Sequence, residues 1–427
     1  MLFTYRNIIF VLCCFALLQS PLFAAEEQKI NFLTLADIHF DPFIACYNKP
    51  APCVLIQKLR QAPASQWPAI FTNDDKSIQQ YRLDTNYYLL NSTLKAAKEK
   101  SQAMNVQFVL VLGDFLAHDN RHFYIQFTRD RSRAGYAAFV KKTMEFLRNE
   151  LAAAFPNIDV YIVVGNNDSY RYDYMIEPYG AFFRDMGQIF SSLIKNKNNR
   201  QSMLLSFPIA GYYGVDLANP PGVRLLGLNS VLFSDKARGN HLSQVATKEL
   251  DWLQQQLVAA KAKHQKVFIA MHIPAGVDIY GSLKYRLLRL IELWKPDYIQ
   301  RFEEELQAFS PQMSAIFSGH LHIDWLQMLT LNNANSIPIA GTPSVSPIFG
   351  NNPGFKVYTY NVDTEQLDDY ETFYYSLSAS PAWSAKRATE SFYQSDCQNC
   401  RLLTGLHLME YLDKSMQAIV TYRNSGV

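Results

Sequence analysis

The feature that most constrains this chain is a succession of short apolar runs separated by amphipathic helical stretches. The runs Ile30–Ala36, Gln107–Leu112, Val160–Val164, Val223–Leu228, Val267–Met271 and Met313–Phe317 are rich in Val, Ile, Leu and Phe. They mostly lack the alternation of a half-exposed strand, which predicts strands covered on both faces. Between them lie stretches with helical spacing, such as Ala137–Ala154 and Thr247–Lys263. In the second, Leu250, Leu253, Leu257 and Ala260 share one face, while Lys248, Gln255 and Lys261 lie largely away from it. Strands alternating with helices predict a layered α/β fold. With 427 residues, 48% of them hydrophobic and 18% charged, the chain has the apolar material to fill such a core.

Beyond His322 the pattern changes. Trp325–Leu331, Phe355–Asn361 and Leu367–Ser376 read as strands joined by turns, with Asn351-Asn352-Pro353-Gly354 as a strong turn signal. From about Ser378 strand character fades, and Cys397 to Ala418 reads as one or two helices. The expected division is a leader over residues 1–24, a main domain over 26–376 and a small C-terminal helical subdomain over 377–427.

Polar residues sit where the apolar runs stop. Asp37 and His39 follow the first run, Gly113 and Asp114 the second, and Gly165-Asn166-Asn167-Asp168 the third. His272 closes Val267–Met271, and Gly319-His320-Leu321-His322 follows Met313–Phe317. Residues at strand ends of an α/β sheet converge on a crevice where ligands bind. The set comprises two carboxylates, one amide and four imidazoles. Such oxygen and nitrogen donors suit zinc, manganese or iron, and seven of them overfill a single tetrahedral site, so two divalent ions are expected. In an extended segment residues two apart point the same way, so Asp-X-His and His-X-His would each present both side chains to one cluster. Any one motif is weak, but unpaired buried polar groups are costly. Their joint appearance after successive apolar strands therefore speaks for a site rather than for packing.

The formal charge is only +2. Nucleic-acid polymers are held by neutralising many phosphates, so no such binding is expected. Arg6 is followed by an apolar run from Ile8 to Leu18 and then by Leu22-Phe23-Ala24-Ala25, the layout of a secretory signal peptide. The run is shorter than the about 20 apolar residues a membrane span requires. Export is expected, to the cell exterior, a periplasm or the lumen of the secretory pathway, without stable membrane insertion. Of six cysteines, Cys13 and Cys14 would leave with the signal. Cys46 with Cys53 and Cys397 with Cys400 form two sequence-local pairs, which an oxidising compartment favours as disulfides. The second spacing also fits a redox motif or half a zinc knuckle, but neither a βαβ setting nor a second pair is visible.

Asp37-Ile38-His39, Gly113-Asp114, Gly165-Asn166-Asn167-Asp168, His272 and Gly319-His320-Leu321-His322 resemble the ordered motifs of the calcineurin-like metallophosphoesterase superfamily. Gly113 to Asp119, Ala270-Met271-His272-Ile273-Pro274 and Asn351 to Phe355 further resemble the acid sphingomyelinase-like phosphodiesterases, over roughly Ile30 to Ser376. The resemblance implies a four-layer α/β/β/α sandwich around a dinuclear zinc site. Asp37, His39, Asp114 and His322 would bind one ion. Asp114, as a bridge, would bind the other with Asn166, His272 and His320. A bridging hydroxide would attack phosphorus in line. A purple acid phosphatase would need Tyr where Ala117 stands.

The implied substrates are small phosphodiesters or pyrophosphates of nucleotide-like or phosphocholine-like type. Only a few residues separate the expected leader from the first strand, so no saposin-type module is expected ahead of it. That disfavours a lipid substrate such as sphingomyelin. His118 would face the leaving group. Asn167 occupies a position where the family usually has a leaving-group His, and an amide has no proton to donate. His118 is therefore expected to be the sole general acid. A metal-stabilised binding protein with little activity is a different class of reading, disfavoured by retention of the whole donor set. Asp84 and Asn229 suit supporting or buried structural roles equally.

Overall fold

A computed structural model describes residues 27–278, 282, 291–330, 336–377 and 381–387. Its strands in chain order are β1 Lys29–Leu35, β2 Val106–Leu112, β3 Asp159–Val163, β4 Tyr213–Asp216, β5 Val223–Gly227 and β6 Lys266–Ala270. They continue with β7 Met313–Ser318, β8 Trp325–Thr330, β9 Ser336–Gly341, β10 Gly354–Asn361, β11 Gln366–Ser376 and β12 Ala382–Arg387. They form two six-stranded mixed sheets, ordered β12-β11-β10-β1-β2-β3 and β4-β5-β6-β7-β9-β8.

The six apolar runs read from the sequence are β1, β2, β3, β5, β6 and β7, and they pair in parallel within their sheets. Phe32 on β1 shows why these strands have no polar face. Its ring stacks on Phe108 at 4.7 Å and on Tyr358 at 5.2 Å within its own sheet, and reaches Phe268 at 5.7 Å and Phe317 at 5.2 Å across the interface. Such aromatic contacts add to the large apolar area each ring buries. The next residue, Leu33, is equally buried on the opposite face. That face is covered by the helix Tyr87–Ala103, which packs on β1 and β2, while the helix Leu242–Ala262 packs on β6 of the second sheet. The order helix, sheet, sheet, helix is the four-layer sandwich.

Local chemistry sets the helix ends. Asn86 accepts from the Leu89 N–H at 2.9 Å and Ser132 from the Gly135 N–H at 3.1 Å, each satisfying an amide left free at a helix start. Among the described residues no helix is long and apolar enough to cross a membrane.

Cys46 and Cys53 form a disulfide in the loop after β1. Cys397, Cys400 and the helices expected over Cys397 to Ala418 lie outside the described residues, as does the leader over 1–24. One difference falls within the stretch assigned to the helical subdomain. β12 extends the first sheet by pairing with β11, Ser376 opposite Ala382. The strand is short and most of its described residues are exposed, so only Trp383 marks it; that ring packs on Phe355 and Tyr375.

Candidate metal centre

The parallel strands bring the expected donors together at one end of the sandwich. Asp37 and His39 come from the loop after β1, Asp114 from that after β2 and Asn166 from that after β3. His272 leaves β6, and His320 and His322 leave β7. Asp37, His39, His272 and His322 are fully or almost fully buried.

The local backbone differs from the extended segments expected. Asp37, His39, Asp114, His320 and His322 all have positive φ, between 41° and 71°. The donors converge because the chain kinks sharply after each strand, not because of a strand's two-residue repeat. Left-handed backbone at non-glycine residues costs energy and clusters where function demands it. Two glycines permit the crowding. Gly113 has φ +87°, and a Cβ at Gly165 would lie 2.1 Å from Asp114 Oδ1.

Acceptor atoms face one another across a small volume. His39 Nε2 lies 3.2 Å from His322 Nε2 and 3.4 Å from Asp114 Oδ2. His322 Nε2 lies 3.4 Å from Asp37 Oδ1. His272 Nε2 lies 3.2 Å from the same Asp114 Oδ2 and 3.1 Å from Asn166 Oδ1. The groups His39–Asp37–Asp114 and His272–His320–Asp114 each gather their ligand atoms within 4.8 Å, and they share Asp114. Opposed lone pairs in a buried site are what a cation resolves, so the donors fit two divalent ions with Asp114 between them.

The tautomers suit this. The Nδ1 of His39 faces the Leu116 carbonyl at 2.9 Å, and that of His272 faces the Leu112 carbonyl at 2.7 Å, so each Nδ1–H donates outward and leaves Nε2 for the centre. Burial lowers His39 to about 4 and His320 to about 3, and with the help of His39 it drives His322 well below the ordinary histidine range. These imidazoles are neutral and carry lone pairs. Burial pushes Asp37 upward. Burial opposes charge on Asp114 too, but His272 and His39 hold its carboxyl well below the usual range.

Supporting contacts complete the site. Asn166 presents Oδ1 because its Nδ2 donates to Asp173 Oδ1 at 2.7 Å. Asp168 accepts from the N–H groups of Phe115, Leu116 and Gly165, at 2.8, 3.1 and 2.9 Å, tying the loops after β2 and β3 together. Asn167 turns inward: its backbone N–H and side-chain amide donate to the two oxygens of Asp114 at 2.8 and 2.9 Å. The amide orients the central carboxylate. Asn229 instead donates its side-chain amide to Ala210 O and its backbone N–H to Glu249 Oε1.

His118 stacks on His39 with ring centroids 4.0 Å apart, and one of its nitrogens joins His39 and His322 within 4.8 Å. Its Nδ1 faces Asp84 Oδ1 at 3.1 Å, and its backbone N–H donates to Asp84 Oδ2 at 2.8 Å. Burial opposes a charge on His118, but the hydrogen bond and charge of Asp84 outweigh it and raise the imidazole to about 9. Asp84 thus has a supporting role. Asp173, Asp168 and the inward turn of Asn167 escaped the sequence reading. One rule would have found Asp173: an Asn that gives its oxygen to a metal needs an acceptor for its NH₂.

Residues 30–324 match a family model described as calcineurin-like phosphoesterase. The chain is 23% identical over 390 residues to sphingomyelinase phosphodiesterase D of Dictyostelium discoideum, covering 86% of this chain and 81% of that protein. It is 22% identical to the acid sphingomyelinase-like phosphodiesterase 3b of Mus musculus, covering 91% and 81%. It is also 22% identical to the cyclic GMP-AMP phosphodiesterase SMPDL3A of Mus musculus, covering 52% and 49%. Among solved structures, a dimetal phosphatase from Danio rerio aligns with TM-score 0.45 and 14% identity, over 83% of this chain and 98% of that one.

Proposed function

The chain belongs to the calcineurin-like phosphoesterase family, and from that premise we propose that it is an exported phosphodiesterase that uses two zinc ions to cleave small nucleotide-like phosphodiesters or pyrophosphates. The observation that carries this is the shared position of Asp114, 3.4 Å from His39 Nε2 and 3.2 Å from His272 Nε2, at the seam of two donor groups. Asp37, His39, Asp114 and His322 would hold one ion, and Asp114, Asn166, His272 and His320 the other. Two such ions, when bound, supply a nucleophilic water at working pH and neutralise charge on the phosphoryl oxygens.

The protein's own groups do the rest. Asn167 fixes the rotation of the Asp114 carboxylate through two hydrogen bonds, which would present it in one orientation to the ions it would hold. Asp84 accepts the Nδ1–H of His118. The Nε2–H of the charged ring is then the proton donated to the departing oxygen, which leaves as a neutral alcohol or as a phosphate with one fewer negative charge. Export is supported by the basic and apolar N-terminal pattern and by the Cys46–Cys53 disulfide, which belongs to an oxidising compartment. Small phosphorylated substrates are supported by the named activities of the relatives, one of which acts on cyclic GMP-AMP.

General acid assistance typically contributes ~10²–10⁴-fold when the leaving group is poor. His118→Ala should therefore slow an alkyl nucleotide diester by a factor in that range and barely change a p-nitrophenyl diester. Equal losses on both would make His118 structural. A substrate panel of nucleotide diesters, nucleotide–choline conjugates and sphingomyelin liposomes tests the class, and preferential turnover of the liposomes would replace the nucleotide reading with a lipid one.

A further inference from the structure

Phe349 is one of several large apolar side chains left exposed among the described residues, and its ring lies against histidines of the candidate metal centre. It is 61% exposed, yet its ring lies edge-on to His322 at 4.6 Å and to His118 at 5.6 Å. It therefore stands at the mouth of the metal centre, on the side of the general acid. The loop that carries it is anchored on all sides. Ser346 donates to Asp84 Oδ1 at 2.8 Å, and its backbone N–H donates to Asp37 O at 3.1 Å. Arg82 N–H donates to Pro347 O at 2.9 Å, and Asn351 Nδ2 to Ser346 O at 3.1 Å. Gly350, at φ +84°, closes a turn back to Pro347 O at 3.0 Å. The same Asp84 that holds His118 thus holds the loop presenting Phe349. The ring and the proton donor are set relative to each other.

We infer that Phe349 is a specificity-determining residue whose free ring face stacks on a planar leaving group, so the favoured substrates expel a nucleoside or nucleotide base-bearing alcohol from the His118 side. The inference rests on the reading that His118 stands on the leaving-group side. A flat ring exposed beside the departing oxygen gains most from a flat partner, and every nucleobase offers a π-face. A quaternary ammonium on this side would face two dications and the charged face of the centre. The stack would place the leaving oxygen beside His118 before any bond breaks.

The test uses metal-loaded enzyme and methylphosphonate monoesters, whose P–C bond leaves only one group to expel. The 5′-adenosyl ester and the 2-methoxyethyl ester expel alkoxides of like reactivity, with and without a planar ring. Wild type should favour the adenosyl ester, and Phe349→Ala should reduce the adenosyl-to-methoxyethyl ratio of kcat/KM about tenfold, the size of one base–aromatic stack. Phe349→Tyr should keep the ratio. An unchanged ratio in Phe349→Ala, whether both rates fall together or neither falls, overturns the proposal. His118→Ala on the same pair tests the underlying reading separately. It should slow both esters alike, because both leave as poor alkoxides, so a failure at His118 would leave the Phe349 ratio still readable.

Discussion

The two sheets contribute differently to the centre. The first sheet supplies Asp37, His39, Asp114 and Asn166, three oxygen donors and one imidazole, while the second supplies only the imidazoles His272, His320 and His322. Neither half makes a complete site for either ion. The contacts of Phe32 with Phe268 and Phe317 across the interface therefore do more than bury apolar area. They set the register in which carboxylates from one sheet meet imidazoles from the other. The difference also separates two kinds of electrostatic burden. Burial leaves His39, His320 and His322 neutral, but the Asp114 carboxylate outweighs burial at His272 and raises it to about 9, so the first sheet's carboxylates draw positive charge even from the second sheet's imidazoles.

Neutralising the carboxylate at the seam should do the most damage. Asp114→Asn should lose both ions and lower phosphodiesterase activity by about 10³-fold or more, since metal charge stabilisation is worth several kcal/mol and each 1.36 kcal/mol is tenfold. His320→Ala, on the second sheet, should lose one ion and keep the other. Elemental analysis of the gel-filtered proteins reads this directly. The same loss from both variants would show that the sheets do not play unequal parts.

Much of this arrangement was legible in the sequence, for physical reasons that can be named. Strands buried on both faces leave unbroken apolar runs, so β1, β2, β3, β5, β6 and β7 were readable. β9 was not, because Pro338 argues against an interior strand. In the fold, Pro338 stands opposite Met328 in the ladder with β8, while β7 pairs with β9 only from Ile339 onward. β4, with four residues, was too short to stand out. The donors themselves were readable as polar residues at strand ends, but the means of their convergence was not. No propensity rule predicts five non-glycine residues at positive φ. Phe349 reads in sequence as one aromatic among many, and only its position beside His118 and His322 gives it meaning.

A smaller effect tests how the first sheet's amide is oriented. An Asn side chain presents either its oxygen or its NH₂, and Asp173 decides the matter by accepting from Asn166 Nδ2. Asp173→Ala should weaken the ion on the Asn166 side about 10–100-fold, as loss of an outer-shell partner commonly does. Asp173→Asn, which keeps an acceptor oxygen, should recover part of that loss. Titration with a competing chelator separates the two ions. An unchanged second dissociation constant in Asp173→Ala would mean that the amide is held by the loop alone.

A last test concerns a buried acid on the second sheet's side. Glu249 is completely buried on the helix Leu242–Ala262 and accepts the Asn229 N–H at 2.7 Å through Oε1, while Oε2 finds no hydrogen-bond partner among the described residues. Burial pushes its carboxyl up to about 8. In contrast with Asp114, whose neighbours favour the charge, this group stays protonated in the folded protein at neutral pH. The unfolded chain loses that proton near its ordinary value of 4.5. Between those two values the folded state binds more protons than the unfolded state, so stability falls as pH rises, by up to about 1.4 kcal/mol per unit. Below the unfolded value the contribution is fully present, and above about 8 the loss is complete. Glu249→Gln keeps the acceptor for Asn229 and cannot ionise. Its stability relative to wild type should therefore climb as pH is raised from 5 to 8, because the metal centre's own titrations are common to both proteins. Paired denaturant unfolding across that range measures the difference, and parallel curves would show that Glu249 is already charged in its slot.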